Sequence, residues 1–312
     1  LLSHKNPPFK ITANYIITAD GTYGSTDATK VTTINGNVII NAPNASDSDT
    51  VNLKNMKING NLTVNFGSGT VNTTNVVGQA ANVVNVGSHC FNVGQLSRFG
   101  LVDVLDSNDD ATVNVDGTAL IDLLTMHSGG SIVAPSGLSP IRSLTLAQQR
   151  QLAMLGLTTP PPPPPITVQA NIPQLQILSS ANLQVQQGAV LQQVSASAGA
   201  TINGTGNVGD IQLTAPNTTI YLNNSMTGVV DILLQANDSR VVLPAGSQIG
   251  TLNMLGRGFV SGGGTVVVAN IAASGAVVEP MVGHANLTPG TSATVGGQTV
   301  TPSTGTTISE VT

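Results

Sequence analysis

Charge is what this chain has least of. Charged side chains are 8% of its 312 residues, against roughly 25% in ordinary globular domains. The net charge is −5, and the ten basic residues are thinly spread. No basic stripe or aromatic platform is present, which excludes nucleic acid as an expected partner. The polybasic signature of an anionic membrane surface is missing too. Aromatics are 3% and Trp is absent, so sugar binding by ring stacking has little to build on. Cys90 is the only cysteine. Intramolecular disulfides are impossible, and the thiol in GSHCFNV is expected to fill a coil interior as a small hydrophobe. No apolar run reaches the 18 or more residues of a membrane-spanning helix. The four histidines are scattered without metal-ligand spacing. No glycine-rich segment carries the Lys-Ser/Thr of a phosphate-binding loop.

What fills the gap is Asn, Thr, Gly, Ser and Val, with 40% hydrophobic residues that are mostly aliphatic. These types fall into a short unit recurring about every twenty residues. In the second half it reads QLQIL (Leu175), QQVSA (Val194), GDIQL (Ile211), VDILL (Ile232), GTLNM (Leu252) and ANIAA (Ile271). In the first half it reads GNVII (Val38), GNLTV (Leu62), ANVVN (Val83), LVDVL (Val102) and LIDLL (Ile121). A fixed period of this length marks a solenoid in which each repeat is one coil. Val, Ile and Leu alternate with Asn, Thr and Lys at period two, so the units are strands. Asn at corners tolerates left-handed backbone, and Asn side chains can ladder from coil to coil.

The predicted fold class is all-β: a parallel β-helix, or β-solenoid, in two blocks joined by one short helix and a polyproline linker. Residues 1–30 read as an N-terminal extended arm, in which ITANYIITA is a strand that pairs on coil one or reaches a neighbour. Residues 31–139 are the first solenoid block. Residues 140–165 hold the helix and linker: Thr145 and Gln148 have capping-box spacing in SLTLAQQRQLAMLGL, and Pro160 to Pro165 follow. Residues 166–280 are the second block. Residues 281–312 are a C-terminal hairpin, turning at Gly296-Gly297, and a polar tail that is disordered or donated to another molecule. The chain begins at Leu1 and not Met, as expected of an expressed fragment or of a mature form whose leader has been removed.

Phrases such as TINGNVIINAP, TINGTGNVGDIQLTAPNTTI and GSQIGTLNML resemble the β-helix segments of secreted, surface-layer-associated or adhesin-like proteins of Gram-positive bacteria. The likeness covers residues 31–135 and 166–280. It implies an extracellular, cell-surface location and a role in coating cells, binding polysaccharide or building fibres.

β-Helical lyases and glycosidases carry acidic clusters, and this chain offers few. Asp106, Asp109 and Asp110 in DSNDD could supply oxygen ligands to calcium, with a solvated turn as the plainer reading. Asp103 and Asp122 are expected at one position of consecutive coils, about 5 Å apart, the separation that retaining glycosidases use. A repeated outward slot explains them better, and Asp210 and Asp231 recur in the same way. No catalytic or cofactor-binding residues are assigned, no cofactor other than calcium is implied, and the protein is not expected to be an enzyme. The expected function is that of a structural subunit of an extracellular fibre or coat, a homo-polymer joined through solenoid ends and arms. The alternative is an adhesin or a module binding cell-wall or host polysaccharide, and the third reading is a polysaccharide lyase or hydrolase.

Overall fold

In the computed structural model the described residues are 10–86, 90–106, 108–148, 162–223, 229–301 and 306–311. They form a parallel β-solenoid, with no helix among them. The chain divides into two compact units, Leu1–Asn171 and Ile172–Thr312.

Each coil of the first unit presents three strand segments, and each segment pairs with its counterparts in the next coil. One ladder runs from Lys10–Ile11 through Thr32–Ile34 to Met56–Ile58 and on to Ile141. A second starts at Tyr15–Ile17 and Val38–Asn41 and reaches Ser143–Leu146. The third starts at Gly21–Gly24 and reaches Pro165–Gln169. All of these pairings are parallel. Period-two alternation sets which side chains turn inward: Val51, Leu53, Leu62 and Val64 are fully buried, while Asn52 and Thr63 between them face out. The inward columns stay level because large and small residues complement one another. Gly78 stands in register between Ile58 and Phe99, and a Cβ there would lie 3.0 Å from the Phe99 ring. The glycine makes room for that ring, which packs at 6.1 Å and 55° against Phe91.

Four expectations need correction here. The predicted helix starting at Ser143 is, through Leu146, part of the strand Ile141–Leu146, paired with Leu120–Met126. Cross-coil hydrogen bonding outweighs a local capping-box pattern, as tertiary context commonly does. Ala147 and Gln148 follow without helix, and residues 149–157 lie outside the described residues, as do Pro160 and Pro161. The prolines do not end the first block, because Pro165 opens the strand Pro165–Gln169, which pairs with Gly130–Val133. Lys10 to Gly24, read as part of an extended arm, are the strands of the first coil, including the pairing of ITANYIITA on its neighbour. Cys90 is half-buried at a corner with φ 38°, and its neighbour Phe91 fills the core instead.

The second unit has two principal parallel ladders. Ala181–Val185 pairs with Ala200–Gly204, which pairs with Thr219–Leu222. Val190–Ala196 pairs with Asn207–Leu213, which pairs with Val229–Leu234. The long strands Ser239–Met254 and Gly258–Ile271 turn the corner and serve both ladders. Its C-terminal end is closed by antiparallel strands. Ala293–Val295 and Gln298–Val300 form the expected hairpin, with Gly296 and Gly297 at φ 57° and 80°. Both centres of such a two-residue turn require positive φ. The polar tail is neither free nor donated over Thr306–Val311: this strand returns antiparallel onto Met281–Leu287.

Candidate functional site

Polar side chains on a solenoid do two jobs, and hydrogen bonds separate them. Most Asn residues hold the coils together. In the first unit Asn72 donates to Asn52 at 3.0 Å, Asn92 to Asn72 at 2.6 Å, and Asn114 to Asn92 at 2.8 Å. Their backbones are in register, so each amide can donate to one neighbour and accept from the other. Asn253, Asn270 and Asn286 do the same in the second unit at 2.9 Å per bond. The expected amide ladders are therefore present.

The carboxylates expected as candidate sites are dispersed by the register. Asp103 lies opposite Thr125, because Val102 pairs with Leu124 and Val104 with Met126. Asp122 falls between Ile121, opposite Phe99, and Leu123, opposite Leu101. The two are not stacked, and each has its own nitrogen partner. Asp103 Oδ1 meets His127 Nε2 at 2.9 Å, and Asp122 Oδ1 accepts from Arg142 at 2.8 Å. His127 Nδ1 lies 3.2 Å from the Ala147 carbonyl, so the ring is held at both nitrogens.

Asp106, Asp109 and Asp110 lie at one corner but face different partners. Asp109 has φ 61°, and its Oδ1 accepts from the Gly129 N–H at 2.7 Å. Asp110 is exposed. Asp106 is 1% exposed, and its Oδ2 accepts from the Asp110 N–H at 3.3 Å. Burial pushes the Asp106 carboxyl above its ordinary value; main-chain N–H groups of Asn108 and Asp110 oppose this, and the Asp110 carboxyl reinforces it. Among the described residues, no three His, Cys, Asp or Glu side chains gather so as to hold a metal ion.

A groove in the second unit was not anticipated. It encloses about 430 Å³ and crosses the coils on the outer face of the ladder that contains Val190–Ala196. Its floor is the backbone over Leu175, Val194, Ile211 and Ile232, whose side chains are 1% exposed and point into the core. The residues before each of these stand along one wall: Gln174, Gln193, Asp210 and Asp231. Those after them stand along the other: Gln176, Ser195, Gln212 and Leu233, with Asn253 opposite Leu233. The floor residues were legible as the repeat, and the walls follow from period two. What the repeat alone did not reveal is that one wall is polar over four coils and the other over three, until Leu233 interrupts it.

The two carboxylates in the groove also brace the backbone. Asp210 Oδ1 accepts from the Asp231 N–H at 3.2 Å, and Asp231 Oδ1 accepts from the Thr251 N–H at 2.7 Å. They fix the register of successive coils where the pairing shifts between Val230 and Ile232. The recurrence of Asp210 and Asp231 is thus a repeated slot.

No protein-family profile matches the chain, and no curated protein or solved structure proves similar to it. Among the described residues, no helix is long and apolar enough to cross a membrane.

Proposed function

We propose that the protein is a non-enzymatic, extracellular polysaccharide-binding β-solenoid, in which an extended neutral glycan lies along the groove of the second unit. The observation that carries this reading is the row of Gln174, Gln193, Asp210 and Asp231 along one wall, faced by Gln176, Ser195 and Gln212 along the other. Amide, hydroxyl and carboxylate groups are donors and acceptors suited to sugar hydroxyls. Coils repeat at about 4.8 Å, so the walls offer hydrogen-bonding groups at even steps along a linear ligand. With 3% aromatics and no Trp, affinity would come from many weak polar contacts. The groove carboxylates are engaged by main-chain N–H groups, which suits positioning better than general acid or base work. The extracellular assignment rests on low charge and an Asn- and Thr-rich composition.

Affinity electrophoresis through a panel of neutral linear polysaccharides tests this. The intact protein should be retarded by at least one polymer, and a Gln174→Ala/Gln193→Ala double variant should run freely. Both side chains are exposed, so the fold should survive. No retardation on any polymer, or equal retardation of the variant, would sink the reading.

A second reading, the self-associating structural subunit, keeps one specific support. The strands Lys10–Ile11, Tyr15–Ile17 and Gly21–Gly24 pair on one side only among the described residues. An unpaired edge is a template for another chain.

A further inference from the structure

Val104, Met126 and Leu146 are in register on three successive coils of the first unit, all fully buried. The ladder runs one residue further. The His127 N–H donates to the Val104 carbonyl at 2.9 Å, and the Ala147 N–H to the Met126 carbonyl at 3.0 Å. The next residues are Asp106, Ser128 and Gln148. In–out alternation turns them inward again, and they are 1%, 4% and 6% exposed.

Each brings a buried oxygen without a hydrogen-bond partner: Asp106 Oδ1, Ser128 Oγ and Gln148 Oε1. Only five side-chain atoms among the described residues are of this kind, and three of them stand two residues past the in-register Val104, Met126 and Leu146. Leaving such an atom unsatisfied is costly, so three together point to something they hold in common. The other ends of two of these side chains are already committed. Asp106 Oδ2 accepts from Asp110, and Gln148 Nε2 donates to the Pro164 carbonyl at 3.2 Å. The second bond orients the amide, because only its nitrogen can face a carbonyl. Carboxylate, hydroxyl and amide oxygens with no nitrogen or sulfur are the ligand set of a hard cation. The Asp110 carboxyl beside Asp106 supplies a second negative charge.

We propose that this corner is a calcium site, with Asp106 Oδ1, Ser128 Oγ and Gln148 Oε1 as ligands from three consecutive coils. It differs from the aspartate cluster expected from sequence, since the Asp109 carboxylate serves the Gly129 N–H. Bound calcium would tie the Asp106 turn and Gln148 to the coil between them. The site is independent of the glycan groove, which lies in the other unit.

The test is calorimetric titration of CaCl₂ into chelator-stripped full-length protein, with thermal melts in parallel. One equivalent should bind, and the melting temperature should rise with calcium. Asp106→Asn preserves shape and removes the charge. It should abolish the calcium response, and Ser128→Ala should weaken binding by about tenfold or more. Absence of binding to the intact protein, or an unchanged calcium response in folded Asp106→Asn, would overturn the proposal. Either result would mean that the corner is satisfied by a proton or an internal water.

Discussion

At the corner that follows Lys54, Thr74 and Gln95, successive coils place one residue each in left-handed backbone. The occupants are Asn55, Asn75 and Leu96, at φ 49°, 52° and 60°. Asn suits the slot, because its short polar side chain tolerates that conformation. It also links coils: Asn55 donates to the Ser25 carbonyl at 2.7 Å, and Asn75 to Asn55 Oδ1 at 2.8 Å. Leu96 has neither advantage. It is 58% exposed, and it stays in place because its N–H donates to Thr118 Oγ1, a hydroxyl in turn held by Asp116 Oδ1 at 2.7 Å. A non-glycine residue in left-handed backbone costs of order 1–3 kcal/mol. Leu96→Asn should therefore stabilise the protein, by about 1 kcal/mol, through relief of that strain and a third rung on Asn75. Denaturant unfolding reads this directly. An unchanged or lowered midpoint would mean that Leu96 packs better than its exposure indicates.

Between coils, the unit of cohesion is the amide ladder. Asn92 is the best place to test it, since it donates to Asn72 and accepts from Asn114. Asn92→Ala removes two hydrogen bonds and leaves two half-buried amides short of a partner. The expected loss is about 1–3 kcal/mol. A surface Asn outside any ladder should cost far less, and equal costs in paired chemical melts would deny the ladder a structural role. These ladders were legible in the composition, because Asn sits beside inward Val and Leu at the repeat period. The pairing of Val194, Ile211, Ile232 and Leu252 was legible too, as was the Gly296-Gly297 hairpin. Register failed wherever a coil differs in length. Val102 pairs with Leu124, not Ile121, and Leu252 with Ala269, not Ile271. A one- or two-residue difference at a corner decides this, and corners carry no periodic signal. The segment Ile141–Leu146 was misread for a related reason: a six-residue strand shows little of its own period beside a capping-box pattern. The inward column of Asp106, Ser128 and Gln148 depends on the same corner registers and was invisible along the chain.

The ends govern how a whole molecule meets others. Stacked parallel coils bury their main-chain groups everywhere except at the first and last turn. At the C-terminal end of the second unit this exposure is managed within the chain. Thr306–Val311 covers Met281–Leu287, and Gln298–Val300 covers Ala293–Val295, both antiparallel. An added parallel coil cannot dock on an edge already paired in the opposite sense. The first coil of the first unit has no such cover among the described residues. Head-to-tail growth needs two complementary edges, and the antiparallel strands remove one of them. Deleting residues 288–312 should lift the block. It removes the hairpin and the returning strand, and bares the edge of Met281–Leu287 as a parallel partner for the first coil of another molecule. Light scattering and electron microscopy should then show concentration-dependent linear oligomers from the truncated protein, and discrete particles from the intact one. Should the intact protein form filaments of the same kind, the antiparallel strands are no cap, and self-association would displace glycan binding as its leading role. Should the truncated protein fold and remain monomeric, the edge of the first coil is not available for pairing, and the structural-subunit reading loses its remaining support.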